Sequence, residues 1–411
     1  MAPLARPCHP SAGRAQDGVP KWEVADILRL YGQTYCAAHP VPPPHHKVMH
    51  DLLVCRTAAL GGHAEQCGQC GFERYAYNSC RNRHCPKCQT LTKETWLEAR
   101  KAELLEVPYF HCVFTLPHDL NLLVLTNKRV LLTLLLRATS QTLVQFGHHN
   151  LGGQLGGILL LHTWDQTLNA HFHVHALVPG GALADKGTRW VPTQAHFLFP
   201  VQALGTVFRH KFLAALHASR DTLVGTAQTA PLHTVQGFQR FIDSLYDKRW
   251  VVYAKRPMAG SEQVLDYLGR YTHRVAIANH RIVDGHDGQV RFTFRNRRQG
   301  NRVEIMTLPA HEFIRRFLLH VVPHGLQRLR HIGFLANRCK AQALRQCRHL
   351  LNQPAPPQPQ KKTIAEWMWQ LTGTDVTRCP HCGHGPLQRI PLAALPPRAG
   401  RPGGPPVWDS S

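Results

Sequence analysis

The chain has 411 residues, enough for two or three domains with a substantial core, and carries a formal net charge of +23, with 35 Arg against 13 Lys. Such an excess is the electrostatic footprint of a nucleic-acid partner, because phosphate neutralisation and counterion release supply most non-specific affinity. No stretch approaches the roughly 18 apolar residues of a membrane span, the N-terminal stretch lacks the apolar run of a signal peptide, and thirteen cysteines partly grouped as CxxC point to zinc in a reducing cytoplasm rather than to disulfides.

Residues 1–20 are rich in Pro, Gly and Ala and are expected to be disordered. Trp22, Ile27, Leu28 and Tyr31 follow at helical spacing, and the proline run at Pro42, Pro43 and Pro44 breaks the chain before a second short helix. A cysteine-rich module covers about residues 63–90, then a charged helix about 91–106. From Tyr109 the pattern changes: a strand to Leu116, a helix over 127–146, a strand from Gly157 to Trp164, and a histidine strand to Val178 that ends at Pro179-Gly180-Gly181. A helix over about 200–220 and a strand from Trp250 to Lys255 precede a helix N-capped by Ser261. Three strands (about 280–284, 289–296 and 302–308), the first two joined by an Asp-Gly-His-Asp-Gly turn, lead to a helix over 309–321. Beyond about residue 350 a Pro-rich tail is expected to be flexible apart from an amphipathic segment, Ile364 to Leu371, and one CxxC. The mixture predicts an α+β fold, an antiparallel-rich sheet covered by helices and preceded by a small zinc-binding domain.

Cys67-x2-Cys70 and Cys85-x2-Cys88 lie fourteen residues apart, a spacing that lets two knuckles fill the four vertices of one structural zinc site. Cys80 between them reads as a buried thiol. Cys379-Pro380-His381-Cys382 reads as half a site, for which His384, or Cys339 and Cys347, would be the completing ligands.

His171-Phe172-His173-Val174-His175 alternates with the period of a strand, so its imidazoles share one face. Neutral imidazole is the commonest side-chain metal ligand. Folding the preceding strand back as a hairpin brings His162 beside His173, giving three imidazoles from two strands; Gln166 and His171 are rival third ligands. Tyr267 and Tyr271 sit four apart in a helical pattern, on one face. A divalent cation that polarises a phosphate, next to aligned phenols, suits nucleophilic attack at phosphorus with a covalent phosphotyrosine. A phenol near pKa 10 needs a cation close by to attack at pH 7, and Lys255 on the preceding strand, with Arg270 or His273 beside the tyrosines, is a candidate for that role. Arg291, Arg295 and Arg297 alternate opposite Phe292 and Phe294, a basic ribbon suited to a DNA backbone.

Phe172 to Gly181 (FHVHALVPGG) resembles the HUH motif, two histidines around a hydrophobic residue, of bacterial rolling-circle insertion-sequence transposases. Tyr267 to Arg274 (YLGRYTHR) resembles their two-tyrosine motif, and Ser79 to Gln89 (SCRNRHCPKCQ) is similar to their zinc-binding N-terminal domain. The likeness implies an HUH-endonuclease sheet and a single-strand DNA nicking and strand-transfer enzyme. It implies Mg2+ or Mn2+ at His173 and His175, 5′-phosphotyrosine links at Tyr267 and Tyr271, and single-stranded element ends and target DNA as partners in the bacterial cytoplasm and nucleoid. The expected division is 1–20 disordered, 21–108 zinc-binding, 109–340 catalytic and 341–411 tail. A plasmid replication initiator and a non-catalytic zinc-stabilised DNA-binding protein are the alternatives.

Overall fold

A computed structural model describes residues 21–255, 258, 261–271, 275–296, 299–356 and 362–394; within 261–271 the side chains of 261, 262, 266, 270 and 271 lie outside the description. Two helices come first, α1 (Val24–Ala38) and α2 (Pro43–Val54). Pro43 and Pro44 occupy the first turn of α2, where the missing N–H has no intrahelical partner to lose, so the proline run starts the helix as well as ending the linker. A hairpin, β1 (Gly62–Cys67) and β2 (Glu73–Tyr77), leads through the second cysteine cluster to α3 (Gln89–Lys101).

Next come β3 (Tyr109–Thr115), α4 (Asn121–Thr126) and α5 (Lys128–Leu151). α5 runs past the expected end at 146 and stops where Gly152 turns left-handed, a conformation glycine adopts without steric cost. β4 (Gly153–Trp164), β5 (Ala170–Pro179), β6 (Gly181–Ala184) and β7 (Arg189–Pro192) follow, then α6 (Val201–Ala218), α7 (Val235–Tyr246), β8 (Val252–Ala254) and α8 (Ser261–Tyr271). β9 (Ile282–Asp284), β10 (Gln289–Asn296), β11 (Arg302–Pro309) and α9 (Ala310–Leu319) come next, then β12 (Leu329–Gly333), α10 (Lys340–Leu350), α11 (Ile364–Thr372) and β13 (Leu387–Leu392).

The main sheet is antiparallel, in the order β7-β6-β4-β5-β3-β8, with β12 also paired to β4. Alternation along β5 decides what each face holds. Phe172, Val174, Ala176 and Val178 are buried with Phe114, Leu135, Phe208 and Phe212 on the side covered by α5 and α6. Each buried Phe, Val or Leu side chain contributes roughly 1.5–3 kcal/mol relative to exposure, so the register of this strand is strongly fixed. Leu177 points the other way, into a second core with Tyr109, Leu160, Val264 and Leu268, which seats α8 on that face.

A third core joins α1 and α2 to the β11-β10-β9 sheet and α9, through Ile27, Met49, Phe292 and Phe313, and includes Trp164 and Leu168 from the β4–β5 hairpin. The N-terminal helices therefore share a core with residues far beyond position 108. The tail also departs from expectation: β13 is the edge strand of a β13-β1-β2 sheet, paired along the whole of β1 from Gly62–Leu392 to Cys67–Leu387, so this part is ordered rather than flexible.

Candidate metal centre and its tyrosine

β4 and β5 pair antiparallel with His162 opposite His173 and Leu160 opposite His175. His162, His173 and His175 are all buried, and one ring nitrogen from each lies within 4.8 Å of the others. Two further contacts set which nitrogens converge. His173 Nδ1 lies 3.0 Å from the His171 carbonyl, an acceptor only, so Nδ1 carries the hydrogen and Nε2 presents its lone pair. His173 Nε2 and His175 Nε2 are 3.1 Å apart, aimed at a common point. The orientation of a ligand ring by a hydrogen bond at its other nitrogen is the usual support of a metal-bound histidine. The rival His171 packs against the His118 ring at 5.3 Å, and Gln166 accepts a bond from Arg281 through its main-chain oxygen. Among the described residues the convergent set is the one containing His162.

Tyr267 on α8 reaches the same centre: its hydroxyl is 3.2 Å from His175 Nδ1. Sequence reasoning missed His111, whose Nε2 is 2.9 Å from that same Nδ1 and whose ring lies 4.6 Å from the Tyr267 ring. β3 pairs with β5 so that Val113 faces His175, and His111, two residues along on the same face, is its diagonal neighbour. The signal was present in Tyr-Phe-His-Cys-Val-Phe-Thr, where a lone imidazole interrupts an otherwise apolar strand. Burial, reinforced by the Lys255 charge, lowers the His111 pKa to about 4, so the ring is neutral at pH 7. Lys255 itself is exposed at the end of β8, its backbone N–H donating to the His111 carbonyl. Tyr271 lies one turn beyond Tyr267 on α8; its side chain and that of Arg270 are outside the described residues, as is all of His273.

The cysteines divide differently from the expected single site of Cys67, Cys70, Cys85 and Cys88. Cys85 and Cys88 meet Cys55 and Cys80, while Cys67 and Cys70 meet Cys379 and Cys382. In the first group the sulfurs of Cys55–Cys88, Cys80–Cys88 and Cys85–Cys55 are 3.3, 3.6 and 3.6 Å apart. Four thiolates at about 2.3 Å from one zinc ion stand roughly 3.8 Å from each other, so this group has the size of a structural zinc site. Burial pushes the Cys55 thiol up to about 11, while the hydrogen bond from Cys85 draws Cys80 down to about 5, a conflict that a shared cation removes. Cys80 is thus a member of the group rather than an isolated thiol. The physical reason for the error is that the β1–β2 hairpin carries the first CxxC away from the second, and Cys55, at the end of α2, lacks any CxxC spacing to mark it. None of the expected partners of Cys379 and Cys382 belongs to the group: His384 Nδ1 lies against the Cys382 carbonyl, Cys339 Sγ faces the carbonyls of Gly333, Phe334 and Ala336, and Cys347 is buried in the second core.

Arg291 and Arg295 stand exposed on β10 and Phe292 is fully buried in the third core, as the alternation predicts, but Phe294 is only half-buried; Arg297 lies outside the described residues. These arginines sit on the β11-β10-β9 sheet, which is separate from the histidine sheet but shares the third core with Trp164 at the end of β4. No helix among the described residues is long and apolar enough to cross a membrane.

Two family models match the chain. One, described as "Transposase zinc-binding domain", covers residues 27–116, and the other, described as "Putative transposase", covers residues 156–343. The chain is 46% identical over 397 residues to "Putative transposase y4qJ" of Sinorhizobium fredii, an alignment spanning 95% of this chain and 98% of the relative. It is 28% identical over 344 residues to "Transposase for insertion sequence element IS801" of Pseudomonas savastanoi pv. phaseolicola, covering 81% and 80% of the two chains. No solved structure matches.

Proposed function

The chain belongs to the insertion-sequence transposases that carry the IS91-type zinc-binding domain, and from that premise we propose that it nicks single-stranded DNA at element ends through Tyr267 and transfers the strand. The observation that carries this reading is the 3.2 Å contact between the Tyr267 hydroxyl and a histidine whose other nitrogen faces the convergent imidazoles.

His162, His173 and His175 fit a divalent cation: they are buried imidazoles that converge from two strands. A cation held there would neutralise the scissile phosphate and polarise it for in-line attack. An all-imidazole set suits Mn2+ better than Mg2+, which prefers oxygen ligands.

The chain's own residues prepare the nucleophile. With His175 Nε2 turned toward the ligand point, its Nδ1 carries the hydrogen and donates to the Tyr267 oxygen or to His111 Nε2. Donation to the oxygen favours the phenolate and lowers the cost of ionising a group with a pKa near 10. The Tyr267 oxygen loses its proton to solvent and forms the bond to phosphorus, the bond from phosphorus to the 3′ oxygen breaks, and that oxygen takes up a proton from solvent. A 5′-phosphotyrosine remains, which keeps the phosphoester bond energy for rejoining. Tyr271, four residues further along α8, is assigned the second attack that returns the strand.

The reading is tested with the full chain, Mn2+ and single-stranded oligonucleotides from element ends. Replacing Tyr267 and Tyr271 with Phe should abolish denaturant-resistant protein–DNA adducts while binding persists. Adducts that survive both substitutions refute the assignment; binding with no adduct in the parent protein favours the non-catalytic alternative.

A further inference from the structure

We propose that Cys67, Cys70, Cys379 and Cys382 bind a second zinc ion, which fastens the carboxy-terminal segment onto the N-terminal hairpin and makes one zinc-ribbon module from two distant parts of the chain. The carboxy-terminal pair lies outside both regions matched by the family models, 27–116 and 156–343.

Four observations carry this. The sulfurs converge: Cys67 and Cys382 are 3.7 Å apart, Cys70 and Cys379 3.6 Å, close to the roughly 3.8 Å edge of a tetrathiolate zinc site. The two pairs are built alike, as Cys-x-x-Cys-Gly. In each, the glycine has a positive φ (70° at Gly71, 77° at Gly383) and its N–H donates to the carbonyl of the first cysteine, at 3.1 and 2.9 Å. That backward-curling turn aims both sulfurs of a pair at one point, and glycine enters it without strain. The approach is also tight, since a Cβ on Gly385 would come within 2.5 Å of Cys67 Sγ. Finally, the strands leaving the knuckles are fastened by a buried carboxylate. Glu65 on the central strand β1 faces Arg74 on β2 and Arg389 on β13, with bonds of 2.6 and 3.1 Å.

Disulfides do not describe this geometry, because the sulfurs stand well beyond a 2.05 Å bond and all four cysteines are free thiols. Zinc loading breaks the four S–H bonds, releases their protons to solvent and needs no oxidant.

The test is metal content of the full chain, purified under reducing conditions. Cys379→Ser with Cys382→Ser should remove one zinc per chain, and Cys67→Ser with Cys70→Ser should remove the same one. All four substitutions together should still remove only one. Hydrogen exchange supplies a second reading: amides of Leu387–Leu392 should lose protection in the carboxy-terminal double variant, even if the N-terminal variant fails to fold. Unchanged zinc content in the carboxy-terminal variant overturns the proposal. So do a loss of two ions in the quadruple variant, or a disulfide within these four cysteines of the parent protein.

Discussion

The histidine centre and the cysteine module bring metal ligands together in opposite ways. His162, His173 and His175 are held by paired strands whose other face is a large apolar core, so the ligands are in place before any ion arrives. Within the cysteine module, Cys67, Cys70, Cys379 and Cys382 instead sit on short, half-exposed strands with little apolar burial behind them, while Cys55, Cys80, Cys85 and Cys88 pack against the third core. Packing fixes the histidines and the Cys55 group, whereas at the Cys67 group, where packing is thin, a bound metal would itself be the core.

The sharpest way to break this contrast is metal removal. Structural zinc contributes roughly 10–16 kcal/mol in small zinc peptides, so a strong chelator should expose the amides of Gly62–Tyr77 and Leu387–Leu392 to hydrogen exchange while those of β3, β4 and β5 stay protected. Equal loss of protection in both regions contradicts the contrast. A smaller effect is expected from His111→Ala, which removes a support of His175 without removing a ligand. Mn2+ affinity should fall about 10–100-fold, with the zinc content unchanged; unaltered Mn2+ titrations would show that His111 plays no supporting role.

Acid should act on the packed regions next. Burial, outweighing opposing local effects, lowers His320 to about 4, and burial with the Lys340 charge lowers His331 to about 4. The unfolded chain therefore binds more protons than the native one between about 6.5 and 4, so stability falls as pH drops through that window. Each ring should contribute about 1 kcal/mol of loss by pH 5.5, seen as a lower urea midpoint than at pH 7.5. A midpoint that stays level over this range contradicts the neutral assignment. The mildest effect belongs to the exposed ribbon. Arg291→Ala with Arg295→Ala should reduce the salt dependence of single-strand binding by about 0.7 in log–log slope for each phosphate no longer neutralised, while adduct chemistry on bound DNA is retained. An unchanged slope would place the DNA elsewhere.

What was legible in the sequence follows the same division. Period-two alternation placed the histidine strand, and hairpin adjacency placed His162 beside His173, because both signals lie within about fifteen residues. The i, i+4 tyrosines were likewise visible as a helix face, although nothing local said which of the two meets a histidine. His111 was hidden because its neighbour His175 is 64 positions away on a paired strand. Cys70 and Cys379 are separated by 309 positions, and two CxxC pairs close in sequence looked like one site until the β1–β2 hairpin separated them. The shared core of α1, α2 and β10 was invisible for the same reason, since apolar residues announce burial but not their partners.

The central claim is that a phenol on α8 attacks phosphorus beside the three imidazoles. Its most direct test is mass spectrometry of the DNA-linked peptide after the full chain meets single-stranded end DNA and Mn2+. The account predicts a nucleotide on Tyr267, with His173→Ala giving no adduct; a nucleotide on a tyrosine outside α8, or an adduct formed without the histidines, would contradict it.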